Sequence, residues 1–303
     1  MSLLKKKKIF SSIKVLMPIL LLLLIGYEAR GLFKEFDWDI INMYLDRLPA
    51  FKIVLIFILG LISLIPMFYY DLILTKIFSI HIKRRNLIIY SFSANAFSNL
   101  VGFGGVAGTT LRSLYFRKYV QDDVPYILMI AKLSLFYLTG LSFLSWLVVF
   151  SDLHVYSEIR FLKLAVWAVA AYTPLLILIY IFQRKFWEME QVKKAFVSEL
   201  MTISIFEWLF VVICIWGIAR FLSVPISFSV LFPIVVISAC VGIISLIPGG
   251  IGSFDLVFLI GMGTHGIPTE LSLLIIMFYR LSYYIFPALL AAPFVIYQFT
   301  HRR

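Results

Sequence analysis

Five ionisable residues stand inside or at the edges of otherwise apolar stretches. They are Asp71 in MFYYDLIL, Arg112 in AGTTLRSLYF, Glu207 in ISIFEWLF, Asp255 in GGIGSFDLVF and Arg280 in IMFYRLSYY. A charge held unpaired near the centre of a membrane helix costs roughly 2.5–3.5 kcal/mol, so five such charges would cost on the order of 12–18 kcal/mol. They must pair or face water. The set holds three acids and two bases, net −1. A site for a simple anion would carry a net positive charge. Carboxylates and guanidinium groups together suit a zwitterionic or cationic head group, with arginine on phosphate and carboxylates on amines. The alternative is a structural ion-pair network that pins helices together.

Enzymatic chemistry has little support. His81, His154, His265 and His301 are scattered, and no HExxH pattern, P-loop or GxSxG elbow occurs. GFGGVAG lacks the soluble βαβ context of a dinucleotide site. Cys214 and Cys240 both lie in apolar runs, with no metal spacing and no disulfide framework. No cofactor and no metal are expected.

The elements that must position these charges are membrane helices. Of the 303 residues, 62% are hydrophobic and 14% charged, and mean hydropathy is +1.00. A soluble domain carries about 25% charged residues. The apolar runs predict an all-α polytopic integral membrane protein of about eight segments, filling residues 1–303 as one domain. The segments are Val15–Phe33, Ile53–Tyr70 (ending on Asp71), Leu87–Leu111, Pro125–Phe150, Phe161–Phe182, Met201–Leu222, Phe228–Ile247 with its continuation past the break, and Leu271–Gln298.

Two segments are interrupted. VGFGGVAGTTLR carries Gly102, Gly104 and Gly105, and SLIPGGIGSFD carries Pro248, Gly249, Gly250 and Gly252. Backbone freed of helical hydrogen bonds is tolerated at membrane depth only where it is buried in protein or lines a watery cavity. Two broken segments in the two halves of a membrane chain point to a transport site between them.

Net charge is +11, but the basic residues gather at span ends, which favours anionic lipid as partner over nucleic acid. Lys5 to Lys8 place the N-terminus in the cytoplasm by the positive-inside rule. The run behind them continues into Gly26-Tyr27-Glu28-Ala29-Arg30 without a small-x-small cleavage site, so it reads as a retained span. If Leu87–Leu111 dips in and returns, residues 71–124 and 183–200 are cytoplasmic with seven and four Lys+Arg, while 151–160 and 223–227 outside hold only Arg160. The bias favours a re-entrant segment.

MFYYDLIL, NLVGFGGVAGTTLRSLYFRKY, FEWL, SLIPGGIGSFDLV and MFYRLSYYIFP together resemble one pattern over essentially the whole chain. It is that of the N-terminal flippase domain of the multiple peptide resistance factor, or phosphatidylglycerol lysyltransferase, family. The resemblance implies movement of lysyl-phosphatidylglycerol from the inner to the outer leaflet of a bacterial plasma membrane. The exposed cationic lipid then lowers the attraction of cationic antimicrobial peptides. It also implies that Asp71, Arg112, Glu207, Asp255 and Arg280 serve head-group translocation. Full-length members add further spans and a cytoplasmic aminoacyltransferase domain, which nothing after Arg303 supplies. The expected partners are therefore an anionic or aminoacylated phospholipid, a separate lipid aminoacyltransferase and a second copy of the chain. Carriage of a polyprenyl-phosphate or glycolipid, or a non-transporting role beside a lipid synthase, are the competing readings.

Overall fold

The computed structural model describes residues 38–46, 48–101, 106–120, 126–150, 160–182 and 194–300. All regular structure among them is helical. Five helical stretches are long and apolar enough to cross a bilayer: Ala50–Ile77, Tyr126–Phe150, Leu162–Phe182, Phe196–Phe221 and Thr269–Gln298. The shortest has 21 residues, about 31 Å at ~1.5 Å per residue, which matches a hydrocarbon core of about 30 Å. Their outer faces expose large apolar side chains such as Val54, Phe143, Leu147 and Ile177. This is a polytopic all-α membrane protein.

In chain order the helices are α1 (Trp38–Asp46), α2 (Ala50–Ile62), α3 (Ile65–Ile77), α4 (Arg84–Val101) and α5 (Val106–Phe116), then α6 (Tyr126–Ser134), α7 (Thr139–Phe150), α8 (Arg160–Ala170) and α9 (Tyr172–Phe182). The chain continues through α10 (Lys194–Phe221), α11 (Phe228–Ile244), α12 (Ser253–Gly263), α13 (Thr269–Tyr279) and α14 (Phe286–Thr300). A 3-10 turn, Leu135–Leu138, joins α6 to α7, and a π turn, Arg280–Ile285, joins α13 to α14.

The two interrupted segments are helical hairpins. Along α4 and α5, Ser98 lies beside Gly108, Asn95 bonds Arg112, and the Tyr90 and Tyr115 rings stack at 4.6 Å. Position falls on one helix as it rises on the other, so the pair runs antiparallel. α11 and α12 do the same: Gly242 meets Phe254 and Gly250, and the Ser245 and Ser253 hydroxyls lie 2.8 Å apart. Each short arm, α5 or α12, has 11 residues, or about 16 Å, half of a hydrocarbon core. Each hairpin stands between two long helical stretches, so the order long helix, hairpin, long helix occurs twice, with 162–182 between. Five long stretches and two hairpins account for seven of the eight segments. The eighth, Val15–Phe33, lies outside the described residues.

Several boundaries differ from the sequence reading. The stretch taken as Ile53–Tyr70 runs on to Ile77, because Ile73, Leu74 and Ile77 are core residues and α3 must continue to bury them. Asp71 is therefore inside a helix rather than at its end. α11 stops at Ile244, where Leu246 takes a left-handed φ of 55°.

Packing depends on small residues and buried hydroxyls, since lipid provides no hydrophobic drive between helices. Gly140 of α7 lies directly against the Ser204 backbone of α10, with no room for a Cβ. Its N–H donates to Ser204 Oγ at 2.7 Å, and that hydroxyl donates to the Tyr137 carbonyl at 2.9 Å.

Candidate functional site

Asp71 and Arg112 form a sealed ion pair. α3 supplies the acid and α5 the base, both wholly buried. Arg112 Nε donates to Asp71 Oδ1 at 2.7 Å, and Nη2 donates to Oδ2 at 3.3 Å. This two-point contact is the fork geometry that arginine makes with a carboxylate. α4 closes the pair: Ser91 Oγ donates to Asp71 Oδ2 at 2.6 Å, Asn95 Nδ2 donates to the same oxygen at 3.2 Å, and Asn95 Oδ1 accepts from Arg112 Nη2. Arg112 Nη1 has no hydrogen-bond partner among the described residues. It sits against Gly108, where an added Cβ would come within 2.8 Å of it.

Asp255 and Arg280 form the second pair. Gly249, Gly250 and Gly252 all hold positive φ, at 61°, 64° and 80°, in a region that costs other residues roughly 1–2 kcal/mol. This turn ends α11 and starts α12, with Asp255 in the first turn of α12. Its Oδ2 accepts from the Gly252 N–H at 2.8 Å. Its Oδ1 accepts from Arg280 Nη2 at 2.6 Å and Nε at 3.2 Å. Arg280 opens the π turn, a helix irregularity common at functional sites, and its Nη1 donates to the Gly249 carbonyl at 3.3 Å. The arginine thus ties the broken backbone to the last long helix.

Glu207 is the unpaired charge of the five. It lies midway along α10 and has no cation within ion-pair distance among the described residues. Among the described residues its side chain accepts one hydrogen bond, from Tyr70 Oη to Oε2 at 2.6 Å. Tyr70 neighbours Asp71 on α3, so that helix holds the sealed pair with one side chain and the lone acid with the next. The Tyr70 ring packs on Tyr137 at 4.2 Å, and the Arg112 guanidinium lies 5.6 Å from the centre of the same ring.

Of the five charged residues Glu207 alone lines the neighbouring cavity of about 610 Å³, a volume within the range of small-ligand sites. Asn99 at the end of α4, Gly249 and Gly250 all line it, so the two hairpins meet there. Glu207, Tyr137 and Tyr284 line it as well, while Met67, Val211 and Phe254 make it largely apolar. Tyr284 lies 6.0 Å from the Arg280 guanidinium. Each arginine therefore stands behind a tyrosine of the cavity wall. Gly102, Gly104 and Gly105 fall outside the described residues. Pro248 opens the 3-10 turn of the second break. Among the described residues no group of acids, histidines and cysteines is placed to hold a metal.

A family model described as the lysylphosphatidylglycerol synthase TM region matches residues 10–291. The chain belongs to this family. The phosphatidylglycerol lysyltransferase of Staphylococcus aureus strain MRSA252 is 30% identical over 301 residues, covering 97% of this chain and 35% of that protein. That of Staphylococcus haemolyticus strain JCSC1435 is 31% identical over 257 residues, covering 84% and 30%. The chain spans about a third of the length of these relatives. In this lysylphosphatidylglycerol synthase TM region, sequence reasoning singled out the charges but missed their neutral partners. Tyr70, Ser91 and Asn95 carry no charge to mark them. Tyr70 in FYYD has the look of an interfacial aromatic, and only its place beside Asp71 hinted at more.

Proposed function

We propose that this chain carries a phospholipid with a cationic head group, of the aminoacylated phosphatidylglycerol class, between the leaflets of a bacterial plasma membrane. The observation that carries this reading is the cavity itself: two broken hairpins converge on it, and among the described residues its one charged group is a carboxylate, Glu207. An amine-bearing head group would travel in this cleft while its tails stay in lipid. Display of that lipid would weaken the attraction of cationic peptides to the cell. The lysyltransferase name of the relatives supports the lipid class.

The topology proposed with it has both hairpins re-entrant. The five long stretches and the N-terminal apolar run then make six crossings, with both termini cytoplasmic. Cysteines placed at Ser113 and Lys194 should both resist an impermeant thiol reagent outside intact cells; ready labelling of both would overturn this arrangement.

Purified protein in phosphatidylglycerol vesicles should speed the crossing of labelled lysyl-phosphatidylglycerol more than that of labelled phosphatidylglycerol. Equal rates would mean unspecific scrambling. No acceleration of either, under a potential and a proton gradient, would favour a membrane subunit without transport activity. That second reading has its own support, since four of the five charges are locked together as a purely structural network would require.

A further inference from the structure

Ion pairing changes which residues are free to meet a cargo. Both arginines have their forks on carboxylates, and the remaining Arg280 donor is on a backbone carbonyl. Neither arginine lines the cavity. Asp71 already accepts from Arg112, Ser91 and Asn95, and Asp255 from Arg280 and the Gly252 N–H. The cavity is lined by one carboxylate, Glu207, whose bond from Tyr70 falls on Oε2, and one amide, Asn99, whose buried Nδ2, on the Tyr283 side, makes no close hydrogen bond among the described residues. Ser98, beside Asn99, lines the wall too. A carboxylate oxygen and an amide N–H left without partners in a largely apolar chamber are each costly unless filled.

We propose that Glu207 and Asn99 set the head-group specificity of the cavity. Glu207 Oε1 receives a primary ammonium group. Asn99 Nδ2 donates to an ester or phosphate oxygen of the same head group, after rotation about its soft terminal side-chain bond. The two ion pairs position the hairpins and do not touch the cargo in this conformation. An ammonium group gives the Glu207 carboxylate a counter-charge, whereas an anionic head group without an amine supplies none and leaves Glu207 unfilled. This assignment rests on the lipid-carrier reading and narrows it: the amine, not the phosphate, is what is selected.

The test uses the intact chain, labelled lysyl-phosphatidylglycerol, phosphatidylethanolamine and phosphatidylglycerol in vesicles, and short-chain forms of the same lipids for binding in detergent. Trp208 lines the cavity and donates to the Tyr137 carbonyl at 3.1 Å, so its fluorescence reports occupancy, with Trp208→Phe as the blank. Glu207→Gln keeps the size of the side chain and an acceptor for Tyr70. It should lower lysyl-phosphatidylglycerol transport by about tenfold or more, equivalent to about 1.4 kcal/mol, and abolish discrimination against phosphatidylglycerol. Glu207→Asp should restore part of the discrimination. Asn99→Ala should slow both amine lipids several-fold while their preference over phosphatidylglycerol persists. The exposed Glu199→Gln serves as the unaffected control. If wild type transports selectively and Glu207→Gln keeps the same selectivity, the assignment falls and the carrier reading stands. If wild type moves no lipid yet lysyl-phosphatidylglycerol quenches Trp208 only when Glu207 is present, the amine site stands and the carrier reading falls. If neither transport nor quenching depends on Glu207, the assignment is wrong in either case.

Discussion

The hairpin α4–α5 holds a base, Arg112, against an acid on the long stretch before it. The hairpin α11–α12 holds an acid, Asp255, against a base on the long stretch after it. Both use a glycine-rich break, an 11-residue return arm and one buried ion pair. They differ in depth. The Asp71 and Arg112 side chains are 0% and 1% exposed, and the α4 polar groups Ser91 and Asn95 close over them. Those of Asp255 and Arg280 are 15% and 5% exposed, and the pair leans on the Gly249 carbonyl at the cavity wall. Equal scaffolds thus carry unequal locks. The first can part only by leaving two charges in a dry interior. The second is partly exposed, so parting it leaves its two charges less deeply buried.

The largest effect expected from this contrast is at the sealed pair. Asp71→Asn leaves the Arg112 charge buried with no counter-charge, and removing one member of a buried pair costs about 3–5 kcal/mol. The variant should fall sharply in membrane abundance and in thermal midpoint in detergent. The double change Asp71→Asn with Arg112→Gln removes both charges and should recover much of the loss. A single variant as stable as wild type would show that depth does not distinguish the two locks.

At the second pair the loss should be of function before stability. Asp255→Asn and Arg280→Gln each forfeit charge-assisted hydrogen bonds of roughly 1.5–3 kcal/mol, at a place less deeply buried than the first pair. Protein level should hold while outward display of the cationic lipid is lost. Normal display in both variants would take the pair out of the transport path. Disappearance of both proteins from the membrane would make the second lock as structural as the first.

The sequence made the breaks and the charges legible and left their partners obscure. Pro248, Gly249, Gly250 and Gly252 interrupt an apolar run, and the cost of bare backbone in lipid says at once that the place is special. The same cost rule separates Asp71, Arg112, Glu207, Asp255 and Arg280 from ordinary span residues. It cannot match them, because Asp71 and Arg112 are 41 positions apart and meet through the packing of α3 on α4 together with the antiparallel fold of α5 on α4. Nor could it foresee that Glu207 would be left over. That outcome depends on Tyr70, which points a hydroxyl at α10 while its neighbour Asp71 turns to α5, one residue and about 100° further around the helix. Span ends were misjudged for a related reason. Asp71 looks like a boundary in a hydropathy profile, and only its burial shows it to be interior.

The smallest effect concerns a third ion pair, which gives the comparison its surface reference. Lys76 of α3 lies 3.9 Å from Glu199 of α10, with side chains 62% and 46% exposed. It joins the same two helices that the Tyr70–Glu207 hydrogen bond joins at depth. An exposed pair gains little Coulomb energy, loses side-chain freedom and is screened by salt, so its worth is about 0–1 kcal/mol. Glu199→Gln should therefore leave abundance and transport unchanged, and shift the thermal midpoint slightly at low salt and not measurably at high salt. The buried bond nearby keeps α3 on α10 whether or not the surface pair forms. A loss at Glu199 as large as that at Asp71 would mean that the α3–α10 contact is held from its end rather than from its middle. The ordering of the three pairs by burial would then be wrong.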